Sequence, residues 1–192
     1  QIYFDFSGYS DMAIGLARMF GVRLPLNFNS PYKAKNIIDF WRRWHMTLSR
    51  FLRNYCYIPL GGNRRGAARR YANIILTMLI GGLWHGAAWT FIIWGAIHGV
   101  FIALNHFWRW SSRRIWSGVN WNSLVYQFMS QIITFVVIVI AWGFFRADGL
   151  DTSMRILSGM AGLNGVLLPN FMEPIIAESL LKITNATFSY GL

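Results

Sequence analysis

The sequence predicts an all-α, polytopic membrane domain, and three observations predict it. Of 192 residues, 55% are hydrophobic and only 13% are charged, against roughly a quarter charged in soluble domains. Aromatic residues make up 17%, with ten tryptophans among them, which fits aromatic belts at two membrane interfaces. The apolar stretches are continuous runs. A β-barrel would need alternating segments of about ten residues instead.

Residues 2–20 read as the first helix. Asp5 and Asp11 interrupt an apolar run, and Ser7, Gly8, Gly15 and Ala17 offer small surfaces for close helix approach. The two acids are six apart, so they do not form a carboxylate pair on one face. Gly21 is the expected stop. Residues 22–35, with Pro25, Asn27, Asn29 and Pro31, read as a loop.

Residues 36–53 read as one amphipathic helix lying at the interface rather than spanning it. Ile37, Trp41, Trp44, Leu48 and Phe51/Leu52 follow helical spacing, with Arg42, Arg43, Arg50 and Arg53 opposite. Asp39 near its start and Arg50 and Arg53 near its end suit the helix dipole. A Pro/Gly loop, Tyr57 to Gly66, leads into a basic patch ending at Arg70.

The apolar stretch 71–107 has 37 residues. As one straight helix it would measure roughly 55 Å, well over a bilayer core of about 30 Å. Gly81, Gly82 and Gly86 supply a break, so the spacing predicts a helix to about Leu83, a bend, and a second helix of about 20 residues. Basic residues at both ends predict a hairpin returning to one side. Residues 121–145 read as the clearest spanning helix, and 151–160 as a short amphipathic one. Residues 171–184 read as another amphipathic helix or a further membrane segment. Asn185-Ala186-Thr187 matches a glycosylation sequon, a triplet common by chance. No repeat, low-complexity segment or second soluble domain interrupts residues 1–192, which read as one partial membrane domain. The start at Gln1 and the uncharged end at Leu192 read as those of an internal piece of a longer chain.

The formal charge is +11, and residues 1–70 hold twelve of the eighteen Lys and Arg but three of the seven acids. Basic loops beside membrane segments face the cytoplasm and anionic lipid. They are interleaved with membrane-embedding sequence, which argues against a nucleic-acid surface. The same charges suit the phosphates of an anionic ligand, and composition does not separate the two roles. Cys56 is the single cysteine, so no disulfide forms within the chain, and it reads as a small apolar filler.

The candidate chemistry centres on histidine. His85 interrupts an apolar run, in Leu83-Trp84-His85-Gly86, and an ionisable group there is costly to bury and marks a functional site by default. Gly86 leaves room for a ligand, and Trp84 and Trp89 can wall a pocket. Neutral imidazole is a general base near neutral pH. His45, in Trp44-His45-Met46, would line the same cavity and, on a helix, neighbour Trp41, Arg42, Leu48 and Ser49. His98 would lie on roughly the opposite side of a helix from His85, and His106 near the interface, both structural. No His-x-x-x-His pair or histidine–acid cluster at ligand spacing is present, so no metal site is expected. Nor is there a nucleophile elbow, phosphate loop or dinucleotide fingerprint. A transporter with proton-relay histidines should show inverted repeats, and only one broken segment is visible. A non-catalytic scaffold is the third class.

Several runs together resemble the membrane-bound O-acyltransferase (MBOAT) family. They are Tyr3-Phe4-Asp5-Phe6-Ser7-Gly8-Tyr9-Ser10-Asp11, Asn27-Phe28-Asn29-Ser30-Pro31-Tyr32, Phe40-Trp41-Arg42-Arg43-Trp44-His45-Met46-Thr47-Leu48-Ser49 and Leu83-Trp84-His85-Gly86. Tyr57-Ile58-Pro59-Leu60-Gly61-Gly62-Asn63 is similar to the branch of alginate and peptidoglycan O-acetyltransferases. The D-alanyl transferases of teichoic acid are less similar in this loop. Asn54 stands where that branch leads one to expect aspartate.

The resemblance implies a helical inner-membrane enzyme with a central funnel. His85 would be the essential histidine and His45 the second. The implied donor is acetyl-CoA or a similar cytoplasmic thioester, with no bound cofactor. The implied product is an O-acetylated cell-surface polysaccharide such as alginate, completed through a periplasmic partner protein. Peptidoglycan, teichoic acid or a lipid are the alternative acceptors. His45 or a nearby amide would steady the tetrahedral intermediate. Trp41, Trp44, Trp84, Arg64 and Arg65 are the expected substrate and donor contacts, the arginines by binding phosphates.

Overall fold

The computed structural model describes residues 1–115, 123–163, 166–169 and 186–189. Within them the fold is helical, as expected. Helix α1 runs Ile2–Met19, α2 Ile37–Trp41, α3 Met46–Phe51, α4 Gly66–His85, α5 Trp89–Ile115, α6 Leu124–Arg146 and α7 Leu150–Met160. The one exception is a short parallel strand pair, β1 (Val166–Pro169) with β2 (Ala186–Ser189), which the sequence patterning did not show. The expectations for residues 171–184 and for the sequon at Asn185 lie outside the described residues.

Helix α1 ends where glycine was expected to stop it, at Gly21 with φ +74°. One of its faces stays open: Phe4, Tyr9, Met12, Leu16 and Met19 are exposed. Helix α6 starts at Ser123, whose side-chain oxygen accepts the Tyr126 N–H and caps the first turn. Helices α5 and α6 are long and apolar enough to cross a membrane, over Trp89–Ser112 and Leu124–Arg146.

Helices α4 and α5 form an antiparallel hairpin. The contacts run in descending order: Gly82 meets Phe91 and Gly95, Gly95 meets Met78, and Gly99 meets Ile75. A side chain at Gly82 or Gly95 would collide with a facing backbone carbonyl, Phe91 O or Met78 O. Glycine therefore sets the distance between the two helices. This corrects the reading of Gly81 and Gly82 as a break: α4 continues through both and ends at His85. The turn comes at Gly86. The space beside Gly86 is also not free for a ligand, because the Phe91 ring would touch a Cβ there at 2.7 Å.

The segment 36–53 departs most from expectation. It is not one helix. Asn36 caps α2 by accepting the Asp39 N–H, but the helix ends at Trp41, and His45 adopts left-handed backbone angles, φ +41° and ψ +57°. The cause is the preceding loop. The Asn29 N–H donates to Arg43 O at 2.9 Å, and the Met46 N–H donates to Asn27 O at 3.0 Å. These tertiary bonds replace the helix's own ladder. A left-handed non-glycine residue costs on the order of 1–3 kcal/mol, so neighbouring contacts must hold it. After α3 the chain continues as a π-helical turn, Leu52–Tyr57, carrying half-buried Cys56.

Nor does the apolar face of this segment lie on a membrane surface. Ile37, Phe40, Trp41 and Trp44 are buried in the protein core. They pack with Met78 of α4, Trp94 of α5, and Ile138 and Ala141 of α6. The mean periodicity was right, but the face finds protein rather than lipid.

Candidate active site

The hairpin places His85 at the last position of α4, beside the turn. Four aromatic rings surround its imidazole: Trp84 at 4.9 Å, Phe145 at 4.9 Å, Trp94 at 5.2 Å and Phe91 at 6.1 Å between centroids. His85 is half-buried and forms no hydrogen bond among the described residues. Neither ring nitrogen is committed to a partner among the described residues.

His45 joins it at the same wall. Its ring lies 6.4 Å from that of Trp84 and 4.8 Å edge-on from Phe6 of α1. The left-handed turn brings it there, not the helical spacing first assumed. Its Nδ1 lies 3.2 Å from Asn27 Oδ1. His45 sits outside the two helices long enough to span, and burial, then the charge of His85, lower its pKa to about 4. It is neutral at physiological pH.

Among the expected contact residues, Trp84 is exposed and touches both histidines. Trp44 is buried, stacked at 5.6 Å on Phe40 and near Trp142, so it supports the wall from behind. Trp41 is also buried, and its Nε1–H donates to His98 Nδ1 at 3.3 Å. His98, expected to be structural, lies in the core and is not remote from His85. It is fully buried and shares the Trp94 ring with His85, at 4.9 Å against 5.2 Å. The turn at Gly86 folds α5 back on α4, which overrides the opposite-side reading.

A basic basin lies toward the other end of α4. Two adjoining cavities, of about 690 and 550 Å³, share Arg42, Arg53, Tyr57 and His106. Arg50 enters the first, and Arg64 and Arg70 enter the second. Arg65 instead lies over Gly61. The only ion pair among the described residues, Asp39–Arg43 at 3.0 Å, neutralises none of the lining arginines. Arg70 Nε is buried without a partner among the described residues, although its Nη2 reaches Tyr71 Oη at 3.0 Å. The pull of so many unpaired guanidinium groups favours an anion, above all a phosphate. Arg70 belongs to the basic run 64–70 that the sequence offered for phosphates, whereas Arg42, Arg50 and Arg53 are members that sequence reading did not select. Only the fold gathers these segments.

Comparison with known proteins bears on this arrangement. The sequence profile described as MBOAT, membrane-bound O-acyltransferase family, matches residues 1–145. The chain belongs to the MBOAT family. It is 54% identical over 168 residues to the peptidoglycan O-acetyltransferase of Helicobacter pylori, which covers 88% of this chain and 31% of that protein. It is 51% identical over 160 residues to the probable alginate O-acetylase AlgI of Pseudomonas aeruginosa, covering 83% and 29%. The teichoic acid D-alanyltransferase of Bacillus subtilis is 34% identical over 158 residues, covering 77% and 38%. The chain thus spans about a third of the length of these MBOAT relatives. Both histidines and the Trp84 wall fall inside the matched MBOAT region. Among the described residues no group of His, Cys, Asp or Glu could hold a metal ion.

Proposed function

We propose that the parent protein is a multi-pass inner-membrane O-acyltransferase that moves an acetyl group from a thioester donor toward hydroxyls of a cell-surface polysaccharide. The observation that carries this reading is the meeting of His45 and His85 at Trp84, two histidines from distant segments on one aromatic wall. A thioester is already activated, so the enzyme must orient two reactants and remove one proton. His85 takes the proton of the acceptor hydroxyl. The oxygen bonds to the acyl carbon, the C–S bond breaks, and the thiolate leaves with the proton returned from the imidazolium. Position favours this assignment: a cation formed at the C-terminal end of α4 meets the negative end of the helix dipole.

The donor we assign is acetyl-CoA, whose phosphates suit the arginine basin. Arg64 lies there, whereas Arg65 lies beside Gly61 and does not line the basin. Membrane lipid covers the open apolar faces, and a periplasmic protein completes delivery to the polymer. The alginate O-acetylase relatives favour alginate as acceptor. The Helicobacter relative, at 54% identity, favours peptidoglycan as a second reading.

The test uses full-length parent protein in membranes with radiolabelled acetyl-CoA and each polymer in turn. Transfer by wild type, with a loss of at least 10²-fold in His85→Ala at equal expression, is the expected result, in line with the usual weight of a general base. Equal transfer by the two proteins would move the chemistry away from His85. The polymer that accepts label decides between alginate and peptidoglycan.

A further inference from the structure

The loop before α2 carries a residue whose geometry bears on the site. Asn27 Oδ1 receives the Thr47 backbone N–H at 3.3 Å and the Thr47 hydroxyl at 2.6 Å, and it faces His45 Nδ1 at 3.2 Å. An amide N–H only donates, so the Asn27 atom at this point is the carbonyl oxygen, not the amide nitrogen. A carbonyl oxygen only accepts. His45 Nδ1 must therefore carry a proton, and in the neutral ring Nε2 keeps the lone pair. The same residue holds the backbone, because Asn27 O accepts the Met46 N–H at 3.0 Å. Asn27 thus grips the chain just after the left-handed position and the imidazole itself, while Asn29 holds the chain just before it.

We propose that Asn27 is a positioning residue that locks His45 as the Nδ1–H tautomer, so that His45 Nε2 enters the site as a hydrogen-bond acceptor. This rests on the acyl-transfer reading above and deepens it. It removes neutral His45 from the role of oxyanion donor at Nε2, which needs a proton that this tautomer lacks. It makes His45 a partner for a donor group of the bound reactants other than the O–H whose proton His85 takes. Of the groups packed around the His45 ring, Phe6 of α1 and Trp84 of α4 carry no charge, and His85 is the titratable neighbour.

The test pairs Asn27→Asp with Asn27→Ala in the full-length protein. Aspartate keeps an acceptor for Thr47 and so keeps the turn, but adds a negative charge against Nδ1–H. A carboxylate within about 4–6 Å stabilises imidazolium by about 1–3 pH units. The acid limb of kcat/KM should therefore move up by at least about one unit in Asn27→Asp, with the alkaline plateau retained. A merely structural asparagine would leave the limb in place. The second readout is the nitrogen NMR spectrum of histidine-labelled wild type, with His45 assigned by difference from His45→Gln. A protonated Nδ1 and bare Nε2 at neutral pH are expected; the opposite tautomer, or an unmoved limb in folded Asn27→Asp, overturns the proposal. Asn27→Ala should lose the Nδ1–H signature, and keeping it would also overturn the proposal. If wild type transfers no acetyl group, the acyl-transfer reading fails, while the spectrum still decides the role of Asn27.

Discussion

His98 shows how one buried nitrogen constrains its surroundings. Indole N–H can only donate, so the bond from Trp41 Nε1 at 3.3 Å makes His98 Nδ1 an acceptor and puts the ring proton on Nε2. The bond joins α2 to α5 inside the core that backs His85 through Trp94. Trp41→Phe keeps most of the aromatic volume but strands a fully buried acceptor. A stranded buried polar group costs about 1–3 kcal/mol. The full-length variant should melt several degrees below wild type in detergent, and an unchanged midpoint would show that the bond carries no stability. His85 was legible in the sequence because it breaks an apolar run. The place of His98 was not legible, since its neighbours come from three helices. Asn27 was legible as a loop residue and as part of a family-like run, but not as a partner of His45. Its partners His45 and Thr47 are eighteen and twenty positions away, beyond any local signal.

At the scale of elements, the hairpin of α4 and α5 is the part the sequence foretold best. Length against bilayer thickness demanded a bend, and the bend lies within two residues of the expected place. Gly86 was read correctly as part of the break, Gly81 and Gly82 were given the wrong task, and Gly95 and Gly99 were not singled out. Periodicity reports which residues share a face, not which backbone lies opposite. In the fold, Gly82, Gly95 and Gly99 form the contact itself. Gly95→Ala places a methyl group against Met78 O, and insertion into a packed contact costs typically about 1–3 kcal/mol. The hairpin must then open, which shifts His85 relative to His45. The expected result is a lowered thermal midpoint together with reduced transfer. Wild-type values for both would mean that the helices are not held this closely. The broken helix at 42–45 is the complementary failure: local pattern favours a continuous helix, and the tertiary bonds from Asn27 and Asn29 override it.

Across the whole molecule, charge and aromatic surface occupy different ends of α4. Arg70 lies just past the first turn of the helix and His85 closes it, fifteen residues later. At 1.5 Å per residue the separation is about 22 Å. A donor held by its phosphates in the arginine basin must therefore be long and extended if its thioester is to reach the histidines. That division predicts a division in kinetics. Arg42 and Arg53 line both cavities, away from the His45–His85 wall, so under the proposed function their contacts to the donor would be equal in ground and transition states. Uniform binding of this kind changes KM and leaves kcat alone. Each charge-assisted bond to a phosphate is worth about 1.5–3 kcal/mol. Arg42→Ala combined with Arg53→Ala in the full-length protein should raise KM for acetyl-CoA by at least about tenfold, with kcat within about threefold of wild type. Added salt should raise the wild-type KM and have less effect on the double variant, because the screened charges are already gone. Steady-state kinetics over a range of donor and salt concentrations measures both. An unchanged KM would separate the basin from the donor and leave its arginines to anionic lipid, whereas a fall in kcat alone would place them at the reacting centre.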